Sequence, residues 1–249
     1  VAFVEINKMG PYAMVRLNRG KVNAINEAVV DELSGKLKEL QFDDSIRAIV
    51  LTGTGHFFSF GFDVPELYGY PKEDFKKFLM KFTGLYKYMF LYPKPIIAAI
   101  NGHATAGGCM LTNACDYRIM VSGKPRISLN EITFASAVFL SSVEILKYRV
   151  GAHYAQEVLL EGRMYSAEEA RNIGLIDEVV IQENLNAETE KTATRFSVLY
   201  SPAFRQIKQM LRHPVMEACE PGEAQGIEKF IDIWYSPEVR EILKAIIIR

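Results

Sequence analysis

The sequence predicts an α/β fold in which short apolar strands run through glycine turns into helices. Two stretches carry that expectation. The first, Ile96 to Asp116, opens as the apolar run Ile96-Ile97-Ala98-Ala99-Ile100, which suits a buried strand, and passes Asn101-Gly102-His103 to reach Gly107-Gly108. Beyond the glycines, Cys109-Met110-Leu111 and Ala114-Cys115 make an apolar helical face, so this stretch reads strand, tight turn, helix. The second, Ala48 to Val64, repeats the pattern: Ala48-Ile49-Val50-Leu51-Thr52-Gly53 reads as a strand and leads through Gly55-His56 to Phe57-Phe58-Ser59-Phe60-Gly61-Phe62-Asp63-Val64. A third observation is the tail, where everything after about residue 183 reads as helix.

Glycines at such junctions let a ligand approach the backbone, and the first amides of the following helix have no partner within it. They form a place for negative charge. Taken alone, Gly107-Gly108 serves equally well as a close packing contact between helix and strand. Two such turns facing one cleft would aim an amide from each at the same oxygen, the geometry that holds an enolate or a tetrahedral oxyanion.

The remaining elements follow in order. Phe3-Val4-Glu5-Ile6 and Ala13-Met14-Val15-Arg16-Leu17 alternate around Met9-Gly10-Pro11, a hairpin pattern. Asn26 is placed to cap a helix whose apolar residues Val29, Val30, Leu33, Leu37 and Leu40 recur at helical spacing. Pro65 to Leu91 combines aromatic residues with lysines and reads as one turn and a long amphipathic helix. Arg126-Ile127-Ser128-Leu129 resembles a strand, and Val143 to Val150 and Ala155 to Leu160 read as helices. Ser166 and Gly174 fit the two caps of a helix starting at Ala167, and Leu175 to Val180 reads as a closing strand. From residue 184 onward, helices are expected with breaks at Pro202, Pro214, Pro221 and Pro237.

The 249 residues, 49% of them hydrophobic, carry a formal charge of -1, the balance of an ordinary soluble enzyme and not of a nucleic-acid binder. No apolar run approaches the ~18 residues that span a bilayer, and no basic-then-apolar signal peptide opens the sequence. Cys109, Cys115 and Cys219 have no metal-ligand spacing and read as reduced core residues of an intracellular protein.

Asn23-Ala24-Ile25, Phe58 to Val64, Pro95 to Asp116, and Tyr165 to Val179 with Ser166-Ala167-Glu168-Glu169-Ala170 and Gly174-Leu175-Ile176 form an ordered set of motifs. In these segments the chain resembles the crotonase superfamily of enoyl-CoA hydratases and isomerases. The resemblance implies a crotonase-like ββα spiral core over residues 1–183 and a helical extension over 184–249 that makes trimer contacts and covers an acyl pocket. It implies an acyl-CoA substrate and a homotrimer or hexamer. Coenzyme A would be part of the substrate, with no separate cofactor and no metal. The compartment would be the cytoplasm in a bacterium, or the mitochondrial matrix or peroxisome in a eukaryote.

The resemblance also assigns residues. The amides of Phe62 and Gly107 would polarise the thioester carbonyl. Asn23, Ala24, Ile25 and Phe60 would lie near the adenine end, with Gly61, Asp63, Gly108 and Met110 along the substrate groove and the 65–91 segment as the acyl-pocket wall. Enoyl-CoA hydratases use two glutamates, one three residues after the oxyanion glycine and one in the segment after the next strand. Here the first position is Met110 and the second is Glu131. A single acid-base carboxylate suits moving a double bond, because no water has to be activated. Leu129-Asn130-Glu131 resembles the corresponding segment of the mitochondrial-type Δ3,Δ2-enoyl-CoA isomerases, and Thr133 to Val138 lacks the glycine-rich turn of hydratases. Read alone, Glu131 is equally a surface carboxylate beside a loop. Other readings are hydration or thioester hydrolysis at the same site, acyl-CoA binding without turnover, and a purely structural subunit.

Overall fold

The computed structural model describes residues 2–246. Strands β1 (Val4–Met9) and β2 (Tyr12–Leu17) form the antiparallel hairpin expected from the alternation, with Val4 opposite Leu17. Gly10 makes the turn at a φ of 62°, where a side chain would be strained. Helix α1 (Glu27–Gln41) begins at Asn26, whose Oδ1 accepts from the Val29 amide at 3.1 Å. It buries Val29, Val30, Leu33, Leu37 and Leu40, the same face that the spacing selects.

From there one unit repeats. Strand β3 (Ala48–Gly53) leads to β4 (Phe57–Ser59) and to helices α2 (Val64–Tyr68) and α3 (Lys72–Phe90). Strand β5 (Ile96–Ile100) leads to β6 (His103–Thr105) and helix α4 (Gly107–Ala114). Strand β7 (Tyr117–Val121) leads to β8 (Ile127–Ser128), a 3-10 turn at Glu131–Phe134 and helix α5 (Leu140–Glu161). Helix α6 (Ala167–Asn172) and strand β9 (Glu178–Val180) complete the core. In each repeat the first strand enters a six-stranded sheet of order β1-β2-β3-β5-β7-β9. The second strand enters a three-stranded sheet of order β4-β6-β8. Every pairing between these strands beyond the hairpin is parallel among the described residues. The chain therefore winds as a spiral of ββα turns.

The expected strand-turn-helix reading of Ile96 to Asp116 is corrected by β6, which lies between Ile100 and Gly107. Three residues are too few to display a period, so β6 has no signature of its own. β3 and β5 are buried along their whole length because the sheet is covered on both faces. One cover is helix α7 (Leu185–Ser197), whose Leu185 and Ala193 pack on Ala48, Val50, Ile97 and Ala99.

Helices α8 (Ser201–Trp234) and α9 (Pro237–Lys244) complete the expected 184–249 extension, of which residues 247–249 lie outside the described residues. Pro202 and Pro237 stand in the first turns of their helices, where the missing N–H costs nothing. The sequence predicts breaks at Pro214 and Pro221, yet both lie inside α8. They are seven positions apart and exposed, so the carbonyls they leave without a donor face water. The opposite face of α8 buries Met216, Cys219, Ile227, Phe230 and Trp234 against α3 and α5, which holds the helix together across both prolines. Helix α5 spans both predicted helices and is broken between them at Gly151, whose φ of 76° and ψ of 164° are not helical. Ser166 and Glu169 form a reciprocal capping box on α6, and Gly174 follows its end at a φ of 81°.

Candidate active site

The two glycine turns meet. Ile25 bridges to Phe62: its amide donates to the Gly61 carbonyl at 2.7 Å, and its carbonyl accepts from the Asp63 amide at 2.9 Å. Successive residues of an extended segment turn their peptide groups to opposite sides, so the Phe62 N–H points away from Ile25. The second turn stands on that side. A Cβ placed on Gly61 would stand 2.9 Å from the Thr105 carbonyl oxygen and 3.1 Å from the Gly107 nitrogen. A Cβ on Gly107 would stand 3.1 Å from the Phe62 ring. Ala106 takes a φ of 49°, unusual for a residue with a side chain, where the chain turns into α4. Among the described residues, neither the Phe62 nor the Gly107 amide donates a hydrogen bond. Two free donors beside one cavity can stabilise an oxyanion.

That cavity has a volume of about 200 Å³. Its lining includes Phe62, Gly107, Met110, Glu131, Ser136 and Phe139, together with Phe230 and Trp234 of α8 and Ile246 beyond α9. Glu131 opens the 3-10 turn and is 5% exposed. Its Oε2 has no hydrogen-bond partner among the described residues. Burial pushes its carboxyl up to about 8, and a hydrogen bond from its own amide offsets this only in part. A carboxyl tuned near neutrality in an apolar cavity is suited to taking and returning a proton. Met110 is 1% exposed, and the Ser142 hydroxyl donates to its Sδ at 3.3 Å.

Of the residues singled out from the sequence, Phe60, Phe62, Gly107, Met110 and Glu131 line the cavity. Asn23, Ala24, Ile25, Gly61, Asp63 and Gly108 do not, and they act on the fold behind it. Asn23 has a buried side chain that donates to the Thr54 and Phe57 carbonyls at 3.0 and 2.9 Å, which leaves it no donor for a ligand. Ala24 and Ile25 are core residues. Asp63 caps α2, its Oδ1 accepting from the Glu66 amide. Gly108 is needed for packing, since a Cβ there would stand 2.3 Å from the Ser59 carbonyl oxygen.

The acyl wall is also relocated. None of residues 65–91 lines the cavity; Phe78 and Phe82 instead form a second layer, with ring centroids 5.0 and 4.7 Å from that of Phe62. Lys72, Lys76 and Lys81 pair with acids of α8 and α1. The wall of this cavity comes from Phe134 and Phe139, and from Phe230 and Trp234 of the extension expected to cover the pocket, four residues that the sequence reading did not single out. In sequence Phe230 and Trp234 are ordinary apolar positions at helical spacing, and nothing local separates a cavity wall from a core.

The family model for enoyl-CoA hydratase/isomerase matches residues 10–245. The chain belongs to the enoyl-CoA hydratase/isomerase family. A probable enoyl-CoA hydratase of Rhizobium meliloti is 32% identical over 89% of this chain and 84% of that protein. The mitochondrial enoyl-CoA delta isomerase 1 of Mus musculus is 28% identical over 91% of this chain and 79% of that protein. The human mitochondrial delta3-delta2-enoyl-CoA isomerase superposes with a TM-score of 0.93 over 97% of this chain and 95% of that one, at 22% identity. The crotonase fold is therefore shared, and family members of this similarity carry both hydratase and isomerase names.

Proposed function

We propose that this chain is a Δ3,Δ2-enoyl-CoA isomerase acting on a fatty acyl-CoA thioester. The observation that carries this reading is that Glu131 is the one ionisable side chain among the described residues that line the cavity, with apolar Met110 also in the lining. The Glu131 carboxylate removes a proton from C2 of the 3-enoyl thioester, and the electron pair moves onto the thioester oxygen. The amides of Phe62 and Gly107 hold that enolate oxygen. The carboxylic acid then delivers the proton to C4 as the electrons return, leaving the double bond between C2 and C3. No water takes part, and the apolar lining keeps the carboxylate basic.

Hydration would need a second group to orient and deprotonate water. Asn130 and Ser136 are the neutral polar side chains nearest that role, and neither is a strong base. The test is a paired assay: a 3-enoyl-CoA followed for conjugation at C2–C3, and a 2-enoyl-CoA followed for its loss through added water. Conjugation without hydration is expected; hydration as the faster reaction would overturn the reading. Glu131→Gln is expected to lower turnover at least ~10³-fold while affinity for the CoA ester stays within several-fold.

The reading extends to a homotrimer or hexamer. Leu199, Tyr200, Ile207 and Leu211 are 43%, 73%, 58% and 57% exposed around a groove of about 420 Å³ on α8, an apolar face that self-association would cover.

A further inference from the structure

Arg19 does not line the candidate active-site cavity, yet its side chain ties together the segments that flank the Phe62 amide. Its Nη1 donates to the Ala24 carbonyl at 3.1 Å and to Asp63 Oδ2 at 2.6 Å, and its Nη2 donates to Glu66 Oε2 at 2.6 Å. Ala24 and Asp63 flank the Ile25–Phe62 bridge on its two strands. The guanidinium thus cross-links both sides of the bridge that turns the Phe62 N–H away from Ile25. Its backbone is held as well, because the Arg19 amide donates to Asn23 Oδ1 at 3.1 Å. Among the described residues Arg19 is the one cation paired with Asp63 and Glu66. Without it, two carboxylates beside the turn would oppose negative charge at the Phe62 amide.

We infer that Arg19 is a positioning residue of the oxyanion site, acting through Phe62 by fixing the direction of its N–H and by offsetting part of the negative charge of Asp63 and Glu66. The inference rests on the two-amide reading of the site. A lysine cannot replace the fork, since one ammonium does not span the Ala24 carbonyl and both carboxylates in the same plane.

The test uses 2-enoyl-CoA bound to the full-length protein in a Glu131→Gln background, with the spectral shift of the conjugated thioester reporting carbonyl polarisation without turnover. Arg19→Gln is expected to lose most of that shift and Arg19→Lys part of it. With Glu131 intact, each is expected to lower kcat roughly 10- to 100-fold while KM changes less than about threefold. Thermal unfolding is followed alongside. If Arg19→Gln does not fold, Arg19→Lys and Asp63→Asn carry the test, the latter keeping a capping oxygen for the Glu66 amide while cutting one bond of the fork. A full shift retained in the folded Arg19 variants overturns the inference and leaves the proposed function standing. No shift in the parent protein overturns the two-amide site, and the inference with it.

Discussion

At the scale of the residue, Glu131 decides how activity and stability depend on pH. Its carboxyl, raised by burial to about 8, is mostly protonated at neutrality, whereas the proposed base is the carboxylate. The expected kcat/KM for a 3-enoyl-CoA therefore climbs about tenfold per pH unit below that value and levels above it. A profile already flat at pH 6 would remove Glu131 from the role of base. The same shift destabilises the native state. Unfolding lets Glu131 ionise at its ordinary pKa, so stability is lost progressively as pH rises from that value to about 8, and none is lost below it. Glu131→Gln should consequently gain on the order of 3 kcal/mol at pH 7 and almost nothing near pH 4, measured by denaturant unfolding at both. A variant that is inactive yet more stable separates a functional carboxylate from a structural one.

At the scale of the element, adjacent glycines at the start of α4 have different tasks. Gly108 packs against backbone, where an added methyl group would stand 2.3 Å from the Ser59 carbonyl oxygen, so Gly108→Ala should lose at least ~1–3 kcal/mol of stability. Gly107 faces the Phe62 ring, which can give, and its φ is not in the left-handed region. Gly107→Ala should change stability by no more than about 1 kcal/mol while lowering kcat, because the displaced ring carries one of the two amides with it. Equal loss of stability in both variants would deny this division. The exposed Pro214 offers a second check: if packing alone carries α8 across it, Pro214→Ala should raise stability by about 1–3 kcal/mol in thermal unfolding.

At the scale of the whole molecule, the C-terminal helices join three tasks. They close the acyl cavity through Phe230 and Trp234, stacking on Phe139 and Phe75 at 5.0 and 4.6 Å between ring centroids. They anchor to the core where Asp116 receives Lys208 at 2.7 Å and Arg212 at 2.8 Å. Burial opposes the charge on Asp116, but the two cations outweigh it and hold the carboxyl below the usual range. Beside this anchor lies the apolar face proposed for self-association. Ile207→Glu with Leu211→Glu is expected to convert the assembly to monomer in sedimentation while far-ultraviolet circular dichroism is retained. Unchanged assembly would place the interface elsewhere.

The sequence by itself determined the elements whose periodicity or caps are plain enough to read: the opening hairpin, the face and cap of α1, the two buried strands β3 and β5, and the two caps of α6. It also marked Glu131, Met110 and the two glycine turns by residue type and order, and the structure brings Phe62, Gly107, Met110 and Glu131 to one cavity. Tertiary structure decided what depends on distant neighbours. β4 and β6 exist only because they pair across the repeats, being too short to show alternation, whereas β8 lies within the Arg126–Leu129 run that the sequence already marks as a strand. Asn23, Ala24 and Ile25 resemble groove residues in order, and only the structure shows that Asn23 and Ile25 also hold the Phe57–Phe62 turn. Part of the cavity wall is built by α8, about 100 residues beyond Glu131 in the chain, because a helix's apolar stripe records that it is buried and not what it is buried against. Desolvation of Glu131 is of the same kind: the carboxylate is written in the sequence, and its pKa is written only in the packing around it.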